Sequence, residues 1–355
     1  MVTQTISCPK CHTQITIQGT PGQRQIVTCP TCGTKGQFMF PTSSTPQPSK
    51  GQTCIEVSHL TKKYKDTIAA NDITLSVKRG EIFGLLGPNG AGKTTTIKAL
   101  LGLIRINTGT IIIDGHDIYH DGVEAKKHIG YLPERVALFD NLNPIQTLKF
   151  FCELRGEDPA QIPGLLKEVG LTDASTRKVG GFSKGMVQLL GIAQVLIGHP
   201  SIYILDEPSS GLDPRWTKVI RDKIRYLNDA GATVIFSSHH LSEVESLCDR
   251  VAIIDKGRLI AQDSLAKIQS VVQTKPRLEI TIPGLQGKTP KILQGLTGII
   301  SLIVKGDTIT ITCEQSLRGK IIALLEEAGY TVSNIKTIEP SLEDAFIKLT
   351  GGKAQ

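Results

Sequence analysis

The chain has 355 residues, 39% of them hydrophobic and 21% charged, and carries a formal net charge of +7. These proportions exclude a disordered chain, and the length admits roughly two or three domains with cores of their own. Aromatics at 5% leave little material for stacking platforms, while the modest positive charge suits an anionic membrane surface, phosphate ligands or an ordinary solvated surface.

The N-terminus lacks the basic and apolar regions of a secretory signal, so the chain is expected in the reducing compartment where it is made, with thiols or metal ligands before disulfides. Cys8, Cys11, Cys29 and Cys32 form C-x2-C-x17-C-x2-C, the spacing of a zinc ribbon. Each C-x2-C turn aims two thiolates at one point, and four thiolates suit a closed tetrahedral Zn²⁺ site. The same ligands permit iron or an Fe–S centre, and a redox dithiol would need only one pair. Between the knuckles, ITIQ and RQIVTC alternate like two short strands, too little for a core without metal. His12 reads as a bystander. The loop offers only Arg24 as a base, which does not favour nucleic acid, and protein docking or regulation is the default reading. Residues 41–51, PTSSTPQPSKG, mark a flexible linker.

From about Cys54 to Ala266 short apolar runs alternate with longer helical patterns, the rhythm of an α/β domain. Within it Gly87, Pro88, Asn89, Gly90, Ala91, Gly92, Lys93 and Thr94, with Thr95 after them, satisfy G-x-x-x-x-G-K-[ST] between an apolar run and a helical one. Glycines let successive N–H groups approach phosphate oxygens at a helix N-terminus; Lys93 supplies a point charge and Thr94 a hydroxyl for Mg²⁺. The bland reading is a glycine-rich turn that matches by chance. The run Ser201 to Leu205 reads as a buried parallel strand ending in Asp206 and Glu207, one carboxylate to bind Mg²⁺ and one to polarise the water attacking a γ-phosphate. No stretch reads as a transmembrane helix: the most apolar, Val187 to Leu205, is interrupted by Gln194, His199 and Pro200.

With both phosphate motifs in place, residues 54 to 266 resemble the nucleotide-binding domains of ABC transporters. Gly181 to Met186 stands at the signature position, with Ser183 and Gly185 kept; Ser210 to Asp213 stands where that family has its D-loop, and His239 at its switch histidine. Ser183 is also a good N-cap for the helical run MVQLLGIAQVLIG. The resemblance implies Tyr64 stacked on adenine, Asp213 and the signature acting across a dimer, and His239 at the γ-phosphate. Two departures stand out: Lys184 replaces a signature glycine, and Glu134 replaces the usual Q-loop glutamine as a further Mg²⁺ ligand that adds negative charge near triphosphate.

Beyond Val271 the pattern reads β-α-β-β-α-β, with RLEITI, helical KTPKILQGL, IISLIV, DTITIT, helical SLRGKIIALLEEAG and a strand near YTVSNIKTI, then an amphipathic helix from Ser341 to Leu349. The ending Pro340 to Phe346 resembles ATPases that serve ABC-2 type export permeases. The fold expected is an α/β P-loop NTPase of ABC type with a helical subdomain over 52–270, a zinc-ribbon-like module over 1–40, the linker at 41–51 and a ferredoxin-like α+β domain over 271–355. The resemblance implies an ATP- and Mg²⁺-dependent ATPase on the cytoplasmic side of the membrane, paired with a second ATPase subunit and a separate transmembrane permease, with nucleic acid disfavoured. The alternative is a soluble ABC ATPase that acts on nucleic acid or ribosomes through the ribbon.

Overall fold

The computed structural model describes residues 2–8, 11, 13–20, 23–39, 51–270, 277–338 and 341–350. Of the expected linker only Gly51 is among them, and His12 and Pro340 lie outside them. The chain divides into two units, Met1–Ser49 and Lys50–Gln355.

The first unit is a pair of antiparallel hairpins. Strand β1 (Val2–Ser7) pairs with β2 (Gln14–Gly19), and β3 (Arg24–Thr28) with β4 (Lys35–Met39). Sequence alternation shows β2 and β3 but not β1 and β4, whose strand character comes from the ladders they complete. A C-x2-C knuckle closes each hairpin. Among the described residues only Cys8, Ile17 and Cys29 are buried apolar positions here, far short of a self-sufficient core.

In the second unit β5 (Thr53–Tyr64) and β6 (Thr67–Lys78) form a long hairpin, and β7 (Ile82–Leu86) enters the phosphate loop and helix α1 (Lys93–Leu100). Strands β8 (Thr108–Ile113) and β9 (His116–Asp117) complete an antiparallel sheet of order β6-β5-β8-β9. After α2 (Gly122–Lys127) and β10 (Ile129–Leu132) come the helices α3 (Pro144–Arg155), α4 (Ile162–Glu168) and α5 (Lys184–Val195). Helix α3 starts sharply because Asn143 and Gln146 form a reciprocal capping box with Pro144 at the first helical position, and it stops at Gly156 in left-handed geometry.

The chain then alternates β11 (Ile202–Leu205), α6 (Pro214–Asp229), β12 (Thr233–Ser238), α7 (Leu241–Leu247), β13 (Arg250–Asp255), β14 (Arg258–Ser264) and α8 (Leu265–Ser270). These build a sheet of order β10-β11-β12-β7-β13-β14, parallel except for the antiparallel edge strand β14. The runs IFGLL, IYIL and TVIFSS are buried along their whole length, as strands covered on both faces must be. Opposite faces carry separate cores, Leu85, Ile204 and Ile235 on one and Leu86, Leu205 and Phe236 on the other. Parallel pairing of Leu205 with Phe236 and of Ser238 with Leu86 brings the segments after β11, β12 and β7 to one edge. That edge is where open α/β sheets place ligands.

The last region forms β15 (Arg277–Thr281), β16 (Ile299–Lys305), β17 (Thr308–Cys313), α9 (Arg318–Glu327), β18 (Asn334–Ile338) and α10 (Leu342–Thr350). Its antiparallel order β16-β17-β15-β18 is that of a ferredoxin-like sheet. The expected helix KTPKILQGL is corrected to one 3₁₀ turn, Lys291–Leu293. Pro290 precedes it, and Gly295 and Gly298 both take positive φ after it, so no helical ladder can extend. Helix α10 belongs to the core of the six-stranded sheet instead of the small domain: Leu342 and Ala345 are fully buried there against α7, α8 and β14. Ser341 caps it by accepting from the Asp344 N–H.

Candidate functional site

A cleft of about 380 Å³ opens at the shared strand edge, lined by Ala69, Pro88 to Thr95, Glu134, Glu207, Ser210 and His239. Two glycines of the loop are there for want of room. A Cβ on Gly87 would stand 2.2 Å from the Ile254 carbonyl oxygen, and one on Gly92, at φ 108°, 2.3 Å from that of Ala69. The Lys93 ammonium folds back over the loop and donates to the carbonyls of Gly87 at 2.7 Å and Pro88 at 3.3 Å. It also lies 3.1 Å from Glu207 Oε1, and both side chains are nearly buried. On the other side of Glu207, His239 Nδ1 stands 2.8 Å from Oε2.

Glu207 sits at φ 47°, a left-handed conformation costly for a residue with a side chain, by about 1–3 kcal/mol. Its backbone N–H donates to Ser237 Oγ at 2.8 Å, and Ser237 donates to Asp206 Oδ1 at 2.6 Å. Thr94 Oγ1 lies 3.4 Å from the same oxygen, at the long end of a hydrogen bond. The other oxygen, Asp206 Oδ2, is buried without a hydrogen-bond partner. Burial pushes the Asp206 carboxyl above the usual carboxylate range, opposed by the Ser237 and Thr94 hydroxyls and reinforced by the charges of Glu134 and Glu207. A buried orphan oxygen, a threonine hydroxyl and three neighbouring carboxylates against one lysine make a donor set that fits a hard divalent cation such as Mg²⁺.

The structure brings together the loop residues, Glu134, Glu207 and His239, with Gly87 and Asp206 behind the lining, and it leaves Tyr64, Ser183, Gly185 and Asp213 away from the cleft. Tyr64 is largely exposed with the Lys62 ammonium 4.7 Å over its ring. Ser183, Gly185 and Asp213 form another face. Ser183 Oγ caps α5 by accepting from the Met186 N–H, and Asp213 Oδ1 caps α6 by accepting from the N–H groups of Arg215 and Trp216. A Cβ on Gly185 would meet the Trp216 ring at 2.5 Å, so the missing side chain lets the two helix ends touch. Ala69, Ile254 and Ser237 escape sequence reading because each acts through a tertiary neighbour. Only Ser237, two residues before His239 on a recognisable strand, carried any signal.

At the N-terminus the four sulfurs of Cys8, Cys11, Cys29 and Cys32 all lie within 4.8 Å of one another, with Cys8 to Cys32 and Cys11 to Cys29 at 3.5 Å. Tetrahedral Zn²⁺ bound at about 2.3 Å requires sulfurs about 3.8 Å apart, so the residues fit the ion. Hydrogen bonds hold three of the thiols below their ordinary range: from Thr13 to Cys11, from the Cys32 backbone to Cys29, and from Thr34 to Cys32. The remaining cysteines, Cys54, Cys152, Cys248 and Cys313, are buried in the apolar cores.

The parallel sheet, the glycine loop running into α1 and the acidic pair after β11 define a P-loop nucleotide hydrolase. The family profile described as ABC transporter matches residues 70–210. The chain is 36% identical to the bacitracin transport ATP-binding protein BcrA of Bacillus licheniformis over 84% of its own length and 98% of that protein's. It is 32% identical to the Nod factor export ATP-binding protein I of Cupriavidus pinatubonensis over 89% and 96%. A solved structure of an ATP-binding subunit of an ABC transporter superposes with a TM-score of 0.56 at 32% identity, covering 62% of this chain and 93% of that one. The chain therefore belongs to the ABC transporter ATP-binding proteins, an ATPase family that works with ATP and Mg²⁺. Among the described residues no helix is long and apolar enough to cross a membrane.

Proposed function

We propose that this chain powers a membrane exporter of the ABC-2 type: it pairs with a second ATPase subunit, identical or related, closes over two ATP molecules, and drives a separate permease from the cytoplasmic side. The observation that carries this reading is near-complete coverage of a bacitracin transport and a Nod factor export subunit by one chain that also has the whole phosphate site. Residues 52–270 are the motor in this reading, 271–355 an accessory domain, and 1–40 a zinc-bearing module joined by the linker at 41–51.

In this reading the work is divided among the residues of one subunit's cleft. The loop N–H groups from Gly90 to Thr95 and the Lys93 ammonium bind the phosphates, at a helix N-terminus suited to anions. Thr94, Asp206 and Glu134 would hold Mg²⁺, which supplies charge neutralisation on the phosphates when bound. Glu207 takes the proton of the attacking water, and His239 orients that carboxylate and reaches the γ-phosphate. Tyr64 stacks on the adenine ring. Ser183, Gly185 and Asp213 face the ATP held by the paired subunit, which accounts for their position outside the cleft of a single chain.

The permease docks beside the segment that follows Glu134. There Phe139, Ile145, Phe150 and Leu154 are exposed, and the rings of Phe139 and Phe150 meet edge to face at 5.4 Å. An apolar cluster of this kind on the helical region suits a partner's helix. Isolation of the full chain from native membranes in mild detergent tests the proposal. A polytopic membrane protein in stoichiometric amount is expected, and a preparation with ribosomal or nucleic-acid partners in its place would overturn it.

A further inference from the structure

Helix α5 begins against a local rule. Lys184 is its first residue, where a cation meets the positive end of the helix dipole, and no acidic residue stands in the first turn to offset it. The ammonium of this exposed residue crosses to the segment after Glu207, donating to the Ser210 carbonyl at 2.8 Å. Ser210 in turn donates its backbone N–H to the Glu207 carbonyl at 3.0 Å, so the lysine grips the turn that sets the Glu207 backbone. The next residue, Gly211, has φ 65° and makes room for the lysine, since a Cβ there would stand 2.3 Å from Lys184 Nζ.

Two further contacts join the same elements. Gln188, one turn along α5, donates its side-chain N–H to the Pro208 carbonyl at 2.8 Å in a buried position. Gly185 lies against the Trp216 ring at the start of α6. The beginning of α5 and the strained turn at Glu207 are thus held as one piece by a charge-assisted bond, a buried amide and a packed glycine.

We propose that Lys184 is a positioning residue that couples the two ATP sites of the paired enzyme. This rests on the reading above, in which Ser183 of one copy faces the ATP of the other while Glu207 acts on the ATP of its own chain. Closure of Ser183 onto one nucleotide then moves the Glu207 turn at the other, and the ammonium is the link. A methionine fills the same volume without a donor; an arginine restores the donor with altered reach.

The test uses the full chain with Mg-ATP. Lys184→Met is expected to lower kcat about tenfold, the order of one charge-assisted hydrogen bond, with binding of a fluorescent ATP analogue to the isolated chain within about twofold of wild type. Lys184→Arg is expected to recover most of kcat. Because Lys184 is exposed, the thermal midpoint of both variants stays at the wild-type value. In a Glu207→Gln background, Lys184→Met also lowers the fraction of ATP-trapped dimer seen by size exclusion. A wild-type kcat in Lys184→Met, a loss that arginine does not restore, or a parallel loss of ATP-analogue binding would overturn the proposal. Glu207→Gln alone reports on the underlying reading: wild-type turnover in that variant sinks the catalytic assignment itself, whatever Lys184 does.

Discussion

Glu207→Gln separates the catalytic role proposed for this carboxylate from its contact with Lys93. As the base for the attacking water, its loss should cost about 10²–10⁴-fold in turnover, equivalent to about 3–5 kcal/mol of transition-state stabilisation. As the partner of Lys93 at 3.1 Å, it also neutralises a lysine that is only 5% exposed. Lys93 keeps its bonds to Gly87 and Pro88, and glutamine retains an acceptor oxygen, so the nucleotide-free protein loses about 1–2 kcal/mol, part of one charge-assisted bond. For a unit of this size that lowers the melting midpoint by about 2–3 °C. Phosphates bound in the cleft replace the missing charge, so Mg-ATP should raise the midpoint of the variant by more than it raises that of wild type. Differential scanning fluorimetry with and without Mg-ATP, alongside a phosphate-release assay, reads both effects. A variant that turns over normally, or whose midpoint matches wild type with and without nucleotide, refutes the double role.

The cation site should titrate. Burial raises the Asp206 carboxyl, so it holds its proton at pH values where an exposed carboxylate has lost it, and Mg²⁺ must compete. Apparent Mn²⁺ affinity, measured by electron paramagnetic resonance from about pH 8 down to pH 5, is expected to fall earlier than for an exposed site. For the same reason the metal-free protein loses stability as pH rises from the unfolded to the folded pKa of this group, and Asp206→Asn should remove that dependence; an unchanged pH profile in the variant would refute the assignment. Gly185→Ala forces a methyl to within 2.5 Å of the Trp216 ring and should cost about 1–3 kcal/mol with a matching loss of ATPase activity; a midpoint and rate equal to wild type would show that the helix ends move apart freely. The N-terminal module should carry one Zn²⁺ per chain, and Cys29→Ser should lose it. Metal analysis and the tetrahedral thiolate spectrum of a Co²⁺-substituted sample check this, and stoichiometric iron in the native protein would count against zinc.

What sequence reading reached, and what it missed, follows from how far each signal travels along the chain. The phosphate loop is legible because its glycines answer to backbone demands within eight residues. The atoms that make Gly87 and Gly92 obligatory, the carbonyls of Ile254 and Ala69, arrive from other strands and leave no mark nearby. Asp206 and Glu207 are legible because an apolar run stops at them; Ser237, which bonds to both, becomes meaningful only in the parallel register of β11 and β12. The segment KTPKILQGL has helical apolar spacing, yet Pro290 and two positive-φ glycines confine it to one turn, a case of backbone chemistry overriding pattern. Helix α10 was readable as amphipathic, but an apolar stripe does not name its partner, and the partner proved to be the ATPase core.

Two departures from local rules adjoin the same chemistry. Glu207 takes a left-handed backbone, and Lys184 puts a cation at a helix N-terminus. Each violation is offset by a contact that another segment supplies: Ser237 and Lys93 for the first, the Ser210 carbonyl for the second. A strained residue persists only where its surroundings over-determine it. Anything that loosens one of these contacts therefore releases Glu207 before it unfolds the domain. The hydrogen bonds from Ser209 and the buried Ser238 to Glu243 extend the same logic to α7, which begins two residues after His239. The segments 183–188, 206–216 and 237–243 are thus joined to one another by side-chain hydrogen bonds, and the Lys93–Glu207 pair ties them to the phosphate loop.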